Sequence, residues 1–134
     1  MRIPDKIKQF FESVPVMAFS TVDKNDTPNV VAIAFKKIKD DETIWIFDTH
    51  FDKTKKNILE NNKVAIAFWN KEKREGYQIK GIATYYSNDK IFEKAVKWAK
   101  EHGKKKPTKG VVEIKVTEIY SITPTYEEAG KRIV

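Results

Sequence analysis

The chain contains no cysteine, and this absence removes several classes of chemistry. Without thiols there is no disulfide, no thiolate nucleophile and no cysteine-ligated zinc or iron–sulfur centre. Only two histidines are present, His50 and His102, and because they lie far apart we predict neither a metal site nor a catalytic role for them. No apolar run approaches the roughly 18 residues of a membrane span, and no signal-peptide block is present, so we expect a cytoplasmic protein without a membrane partner.

Arginine is also scarce, yet the net charge is +7 because lysine is abundant. Charges of both signs are interspersed along the sequence, so the positive field favours anionic partners without naming one. A chain of 134 residues with 40% hydrophobic content can bury one core. The length therefore predicts a single domain over residues 1–134.

Periodic apolar patterns predict six strands and three helices. The strands are predicted at 16–22, 29–35, 43–48, 64–69, 77–86 and 110–122. The helices are predicted between Pro4 and Pro15, at 53–61, and around 91–99. The link between the first and second strands and the link between the fourth and fifth strands are too short for parallel crossovers. We therefore predict an α+β fold, a six-stranded antiparallel barrel with flanking helices, whose closure protects the strand edges.

Residues 48–57 lead from a strand into a helix and predict an anion-binding site. Asp52 can serve as the N-cap of that helix. The unpaired N–H groups of a helix start favour an anion. The side chains of Lys53, Lys55 and Lys56 add positive charge, and Thr54 adds a hydroxyl donor. A lysine cluster in a lysine-rich chain also arises without any ligand, so the motif alone leaves both interpretations open.

Eight short segments carry a resemblance to a known family. They are the N-terminal helix and residues 18–22, 27–31, 44–47, 53–59, 62–65, 77–81 and 112–120. Each segment alone is unspecific, but in this order, over about residues 6–124, they resemble the flavin-binding split-barrel family typified by pyridoxamine phosphate oxidase. The resemblance specifies the expected barrel as a split β-barrel.

The resemblance implies an FMN-binding homodimer, with the flavin in a groove at the dimer interface. The residues that match the family's phosphate contacts are Lys53, Thr54 and Asn57, with Lys56 as a second candidate. The residues that match strands around the flavin ring are Val31, Ala32 and Ile33 through their backbone, Phe47, Asp48 and Thr49 at a strand end, and Gln78 and Lys80. Residues 31–33 also read as ordinary core, and Gln78 and Lys80 as a solvent-facing polar stripe.

A flavin supplies its own electron-accepting centre, so the absence of a catalytic triad is uninformative. The implied function is hydride or electron transfer, as an oxidoreductase or an electron carrier, with a small organic acceptor or a nicotinamide donor. No Gly-x-Gly-x-x-Gly fingerprint is present, so such a donor would be a transient substrate. Residues 126–134 lack the Arg-, Trp- and His-rich segment that holds the substrate phosphate in true pyridoxamine phosphate oxidases, so we do not expect that activity.

Two alternatives remain open. A non-redox module that binds single-stranded nucleic acid would interleave aromatic and basic residues on one strand face. Tyr85 and Tyr86 are adjacent, hence on opposite faces, and the basic clusters lie in loops and helices, which disfavours this alternative. The second is a split barrel that binds haem or a deazaflavin in place of FMN.

Overall fold

The computed structural model of the protein describes residues 2–134, and its elements are three helices and seven strands. In chain order they are α1 (Asp5–Ser13), β1 (Met17–Val22), β2 (Pro28–Ile33), β3 (Lys36–Ile38), β4 (Thr43–Asp48), α2 (Lys53–Glu60), β5 (Lys63–Asn70), β6 (Glu75–Tyr86), α3 (Lys90–Glu101) and β7 (Gly110–Ser121). The predicted α+β class is confirmed. None of the three helices in this part of the chain combines the length and apolar character that crossing a membrane requires.

All seven strands form one antiparallel sheet in the order β2-β1-β5-β6-β7-β4-β3. The two outermost strands, β2 and β3, follow one another in the chain and are joined only by Ala34 and Phe35. Three Cα steps span at most about 11 Å, so the sheet must curl until its two edges approach each other. The result is a barrel with one open seam, which confirms the predicted split barrel.

The expected count of six strands is wrong, because β3 was not predicted. β3 is only three residues long and reads Lys-Lys-Ile, too short and too polar to show an alternating pattern. It is held by backbone pairing with β4, in which Lys36 lies opposite Ile46 and Ile38 opposite Ile44. The predicted second strand also ends early, at Ile33, because the chain turns there towards β3.

The barrel interior is filled by alternate residues of the central strands. One row across β1, β5, β6 and β7 consists of Phe19, Ile66, Ile79 and Ile119, all of them buried. Helix α1 packs onto this interior, and the ring of its Phe11 meets Phe68 edge to face at 5.3 Å. A second cluster lies outside the barrel, where α3 covers the outward side chains of β4 and β7.

Candidate functional site

A cleft of about 510 Å³ lies between β2 and the segment that leads from β4 into α2. Residues 31–35 line one wall and residues 49–54 the other. The walls are joined where the Phe47 N–H donates to the Phe35 carbonyl at 3.2 Å, and the two rings meet edge to face at 5.3 Å. The volume and the mostly apolar lining are those of a small-molecule site.

The wall formed by β2 has unpaired backbone groups. β2 is an outer strand and pairs only with β1. Within residues 2–134, no other hydrogen bond reaches the backbone of residues 30–34. Half of the N–H and C=O groups of an antiparallel edge strand point away from its one neighbour. Along the cleft, these groups can pair with the polar edge of a planar heterocycle.

Thr54 and Asn57 belong to a hydrogen-bond network that ties α2 to the β1–β2 hairpin. The Asn29 amide donates to the Thr54 hydroxyl at 3.1 Å and to the Thr21 hydroxyl at 3.2 Å. The Asn57 amide donates to the same Thr21 oxygen at 3.0 Å. Thr54 still lines the cleft and can donate its hydroxyl proton, whereas buried Asn57 does not line it. Asn57 therefore holds the helix in place rather than facing a ligand.

The start of α2 presents one lysine to the cleft. Lys53 is exposed and lines the cleft, while Lys56, one turn further on, does not. Asp52 occupies the predicted N-cap position, although its side chain accepts no capping hydrogen bond. The uncapped N–H groups of the first turn remain available to an anion.

Asp48 is held away from the cleft. It has no exposed surface, and its Oδ1 accepts from the Phe51 N–H at 2.7 Å while its Oδ2 accepts from the Tyr85 hydroxyl at 2.5 Å. Burial raises the pKa of the Tyr85 phenol, and the hydrogen bond to the carboxylate adds to that shift. A Cβ at Gly110 would lie 2.2 Å from the Tyr85 hydroxyl, so only glycine fits beside this pair. Asp48 therefore holds the cleft wall in position from the side that faces away from the cleft.

Gln78 and Lys80 lie on another surface of the same chain. They are paired with Ala67 and Ala65 of β5, whose side chains face the outside of the barrel next to those of β1. The Lys80 ammonium lies 5.3 Å from the centre of the Tyr120 ring. Neither residue lines the cleft.

The structure brings seven of the twelve predicted residues to the cleft, and it adds others. The predicted residues that line it are Val31, Ala32, Ile33, Phe47, Thr49, Lys53 and Thr54. The additional lining residues are Asn29, Ala34, Phe35, His50, Phe51, Asp52 and Lys106. Asn29 lies 25 positions before Thr54, so no local sequence signal links it to the phosphate motif. Nothing near Lys106 in the sequence links it to residue 50.

The fold is that of a split-barrel protein, with a cleft beside its open seam. Residues 3–123 match the sequence profile of the family described as pyridoxamine 5'-phosphate oxidase. The chain belongs to this family. It is also 38% identical over 120 residues to an uncharacterized protein of Methanocaldococcus jannaschii, a match that covers 88% of this chain and 79% of that protein.

Two solved structures are similar to this chain in fold. HupZ of Group A Streptococcus is 26% identical, with a TM-score of 0.83 over 98% of this chain and 99% of that one. An FMN-binding protein from Syntrophomonas wolfei is 20% identical, with a TM-score of 0.75 over 90% of this chain and 86% of that one. The second likeness shows the shared fold.

Proposed function

We propose that the protein binds FMN in the cleft beside β2 and transfers electrons or hydride through it, as a cytoplasmic oxidoreductase or electron carrier. When bound, the flavin supplies the redox centre, so the chain's own task is to bind and orient it and to control access. The family membership and the FMN-binding neighbour support this proposal.

The unpaired edge of β2 is the observation that carries the proposal. An isoalloxazine ring has one edge of alternating hydrogen-bond donors and acceptors, which matches the free backbone groups of residues 31–34. The same ring has broad apolar faces that suit contact with Val31, Ile33 and Phe35. Thr54 and Lys53 at the start of α2 provide a hydroxyl and a cation for the phosphate. The residues present therefore fit FMN.

We further propose that the site is completed by a second copy of the chain. The outer face of β1, β2 and β5 carries small side chains, Ala18, Ser20, Ala65 and Ala67, which permit close packing. Around them lie the exposed apolar residues Val16, Val30 and Trp69. An exposed apolar surface of this kind is typical of a protein interface.

The cleft and this outer face are continuous. An apolar groove of about 450 Å³ on the outer face shares Val31 and Ala32 with the cleft. A second copy packed on the outer face would therefore border the cleft. Because Gln78 and Lys80 lie on that face, they can meet a flavin as residues of the neighbouring copy, which keeps their predicted role within the dimer proposal.

Substitutions of Lys53 and Lys56, two lysines of α2, test the FMN proposal. FMN and riboflavin are titrated into the protein, and binding is followed by flavin fluorescence. We expect Lys53→Ala to weaken FMN roughly tenfold, as loss of a charged phosphate contact does, and to leave riboflavin unchanged. Lys56→Ala, on the same helix but outside the cleft, is the matched control and should change neither affinity. Equal weakening of both flavins by Lys53→Ala, or no binding of either flavin to the unaltered protein, would contradict the proposal.

A further inference from the structure

The mouth of the cleft holds two basic side chains that the proposed flavin site does not use. His50 and Lys106 both line the cleft, and both are exposed. The Nζ atom of Lys106 lies 3.5 Å from Nε2 of His50, although the two residues are 56 positions apart in the chain. A separation of 3.5 Å is long for a hydrogen bond, so both side chains can still bind another partner.

The segment that carries Lys106 is fixed to the cleft wall. The Lys109 N–H donates to the Asp48 carbonyl at 2.8 Å, and the Lys109 ammonium donates to the Phe51 carbonyl at 3.2 Å. The Lys104 ammonium donates to the carbonyl of Lys106 at 2.7 Å. These contacts position Lys106 beside His50 instead of leaving it on a free loop.

The two basic side chains are not neutralised by the protein. Over residues 2–134, no carboxylate forms an ion pair with Lys53, His50 or Lys106. Among residues 2–134, Asp52 is the one acidic residue that lines the cleft, and the same lining contains two lysines. A positive cleft mouth with apolar walls concentrates anions and strengthens their binding.

The pair lies away from the proposed phosphate contact. The Thr54 hydroxyl is bound to Asn29, at the start of β2. The Lys104 ammonium lies 6.0 Å from the centre of the Phe35 ring, beyond the end of β2, which places the segment 104–109 at that end of the wall. Residues 29 and 33 are separated by about 13 Å along a strand. The cleft lining therefore contains basic side chains from two separate segments, Lys53 at the start of α2 and Lys106 beyond the end of α3.

We infer that His50 and Lys106 form a second anion site, which binds the phosphate or carboxylate group of the small molecule that enters the flavin cleft. The redox role of that molecule rests on the proposed function, whereas anion binding by the pair does not. Lys106 supplies a charged donor and His50 a ring N–H donor, from two different segments, so they can hold one oxyanion between them. The site would favour anionic over neutral redox partners.

The two histidines of the chain make this inference directly measurable. The imidazole proton signals of His50 and His102 are followed by NMR while inorganic pyrophosphate or malonate is added to the flavin-free protein. We expect a saturable shift of the His50 signal with at least one of them, and no comparable shift of His102, which lies at the end of α3. The tighter of the two anions identifies the group as a phosphate or a carboxylate.

Two variants and one loading step complete the test. Lys106→Gln should weaken the anion roughly tenfold, and Lys105→Gln, exposed on the same segment but outside the cleft lining, should not. The His50 shift should persist in protein loaded with FMN. Its loss on loading would mean that the anion had occupied the flavin's own phosphate position, and would overturn the inference. The inference would also be overturned by equal shifts of both histidines, by an unchanged anion affinity in Lys106→Gln, or by the absence of a shift with either anion. If FMN does not bind, the titration of the flavin-free protein still tests whether the pair binds an anion.

Discussion

The Tyr85 hydroxyl donates to Oδ2 of Asp48 at 2.5 Å, and this bond connects β6 to the wall of the cleft. The carboxylate is fully buried, and its other oxygen holds the Phe51 N–H. Residues 49–54 line the cleft, so the pair sets the position of that wall without touching its contents.

Replacing the tyrosine should therefore destabilise the fold. Tyr85→Phe leaves one oxygen of a buried carboxylate without its donor, which costs about 1–3 kcal/mol in the free energy of unfolding. Urea denaturation measures this change. The control is Tyr126→Phe, since Tyr126 is fully exposed and its substitution should not alter stability. Equal midpoints for the two variants would show that the Tyr85–Asp48 bond does not stabilise the protein.

Stability should also fall at alkaline pH. Burial, followed by the hydrogen bonds to Glu75 and Asp48, raises the pKa of the Tyr77 and Tyr85 phenols. Unfolded tyrosine ionises near pH 10, so the folded protein retains these protons while the unfolded chain loses them. The stabilisation is complete below about pH 10 and disappears as the pH rises through the raised pKa values.

A spectrophotometric titration checks that expectation. Tyrosinate absorbance of the native protein should develop at higher pH than in the chain unfolded by guanidinium. Tyr85→Phe should remove part of the late-ionising fraction. Coincident native and unfolded curves would show that the two phenols are not protected.

A substitution at Asn57 tests whether this residue supports the site or contacts the ligand. Asn57→Ala removes a buried amide that donates to Thr21, so the free energy of unfolding should fall by about 1–3 kcal/mol. Because Asn57 does not line the cleft, FMN and riboflavin should weaken by the same factor. Asn88→Ala, at an exposed position, is the control. Weaker binding of FMN with unchanged binding of riboflavin would instead show that Asn57 contacts the phosphate.

The proposed dimer interface can be broken at its centre. Ala18 lies on the outer face between Ala32 and Ala67, so Ala18→Glu would bury a charge there and should yield a monomer with weakened flavin binding. Analytical ultracentrifugation measures the mass. Leu59→Glu places the same charge at an exposed apolar residue of α2 and should leave the dimer intact. A monomeric unaltered protein that binds FMN tightly would contradict the interface site.

Most of the fold could be predicted from the sequence because strand alternation and helix amphipathicity are local signals. Gly103 follows the C-cap of α3 with a positive φ of 86°, and the Lys104 N–H donates to the Ala99 carbonyl, so the end of this helix is also fixed by local turn chemistry. β3 was missed because backbone pairing, not side-chain pattern, defines it.

The site was less accessible to sequence reasoning because its geometry is tertiary. The contact of Asn29 with Thr54 joins residues 25 positions apart, and that of His50 with Lys106 joins residues 56 apart. Neither pairing has a local signature. The same reason explains why the motif at 48–57 did not distinguish Lys53, which lines the cleft, from Asn57, which supports the helix.

The central claim, that FMN occupies the cleft beside β2, is tested most directly by following backbone amide signals in a ¹H–¹⁵N NMR titration with FMN. We predict that the largest shifts fall on residues 31–35 and 49–54, with smaller changes in the groove between α1 and the β5–β6 turn, around Lys6 and Arg74. Saturable binding that shifts the second groove and leaves residues 31–35 unchanged, or the absence of any saturable shift, would contradict it.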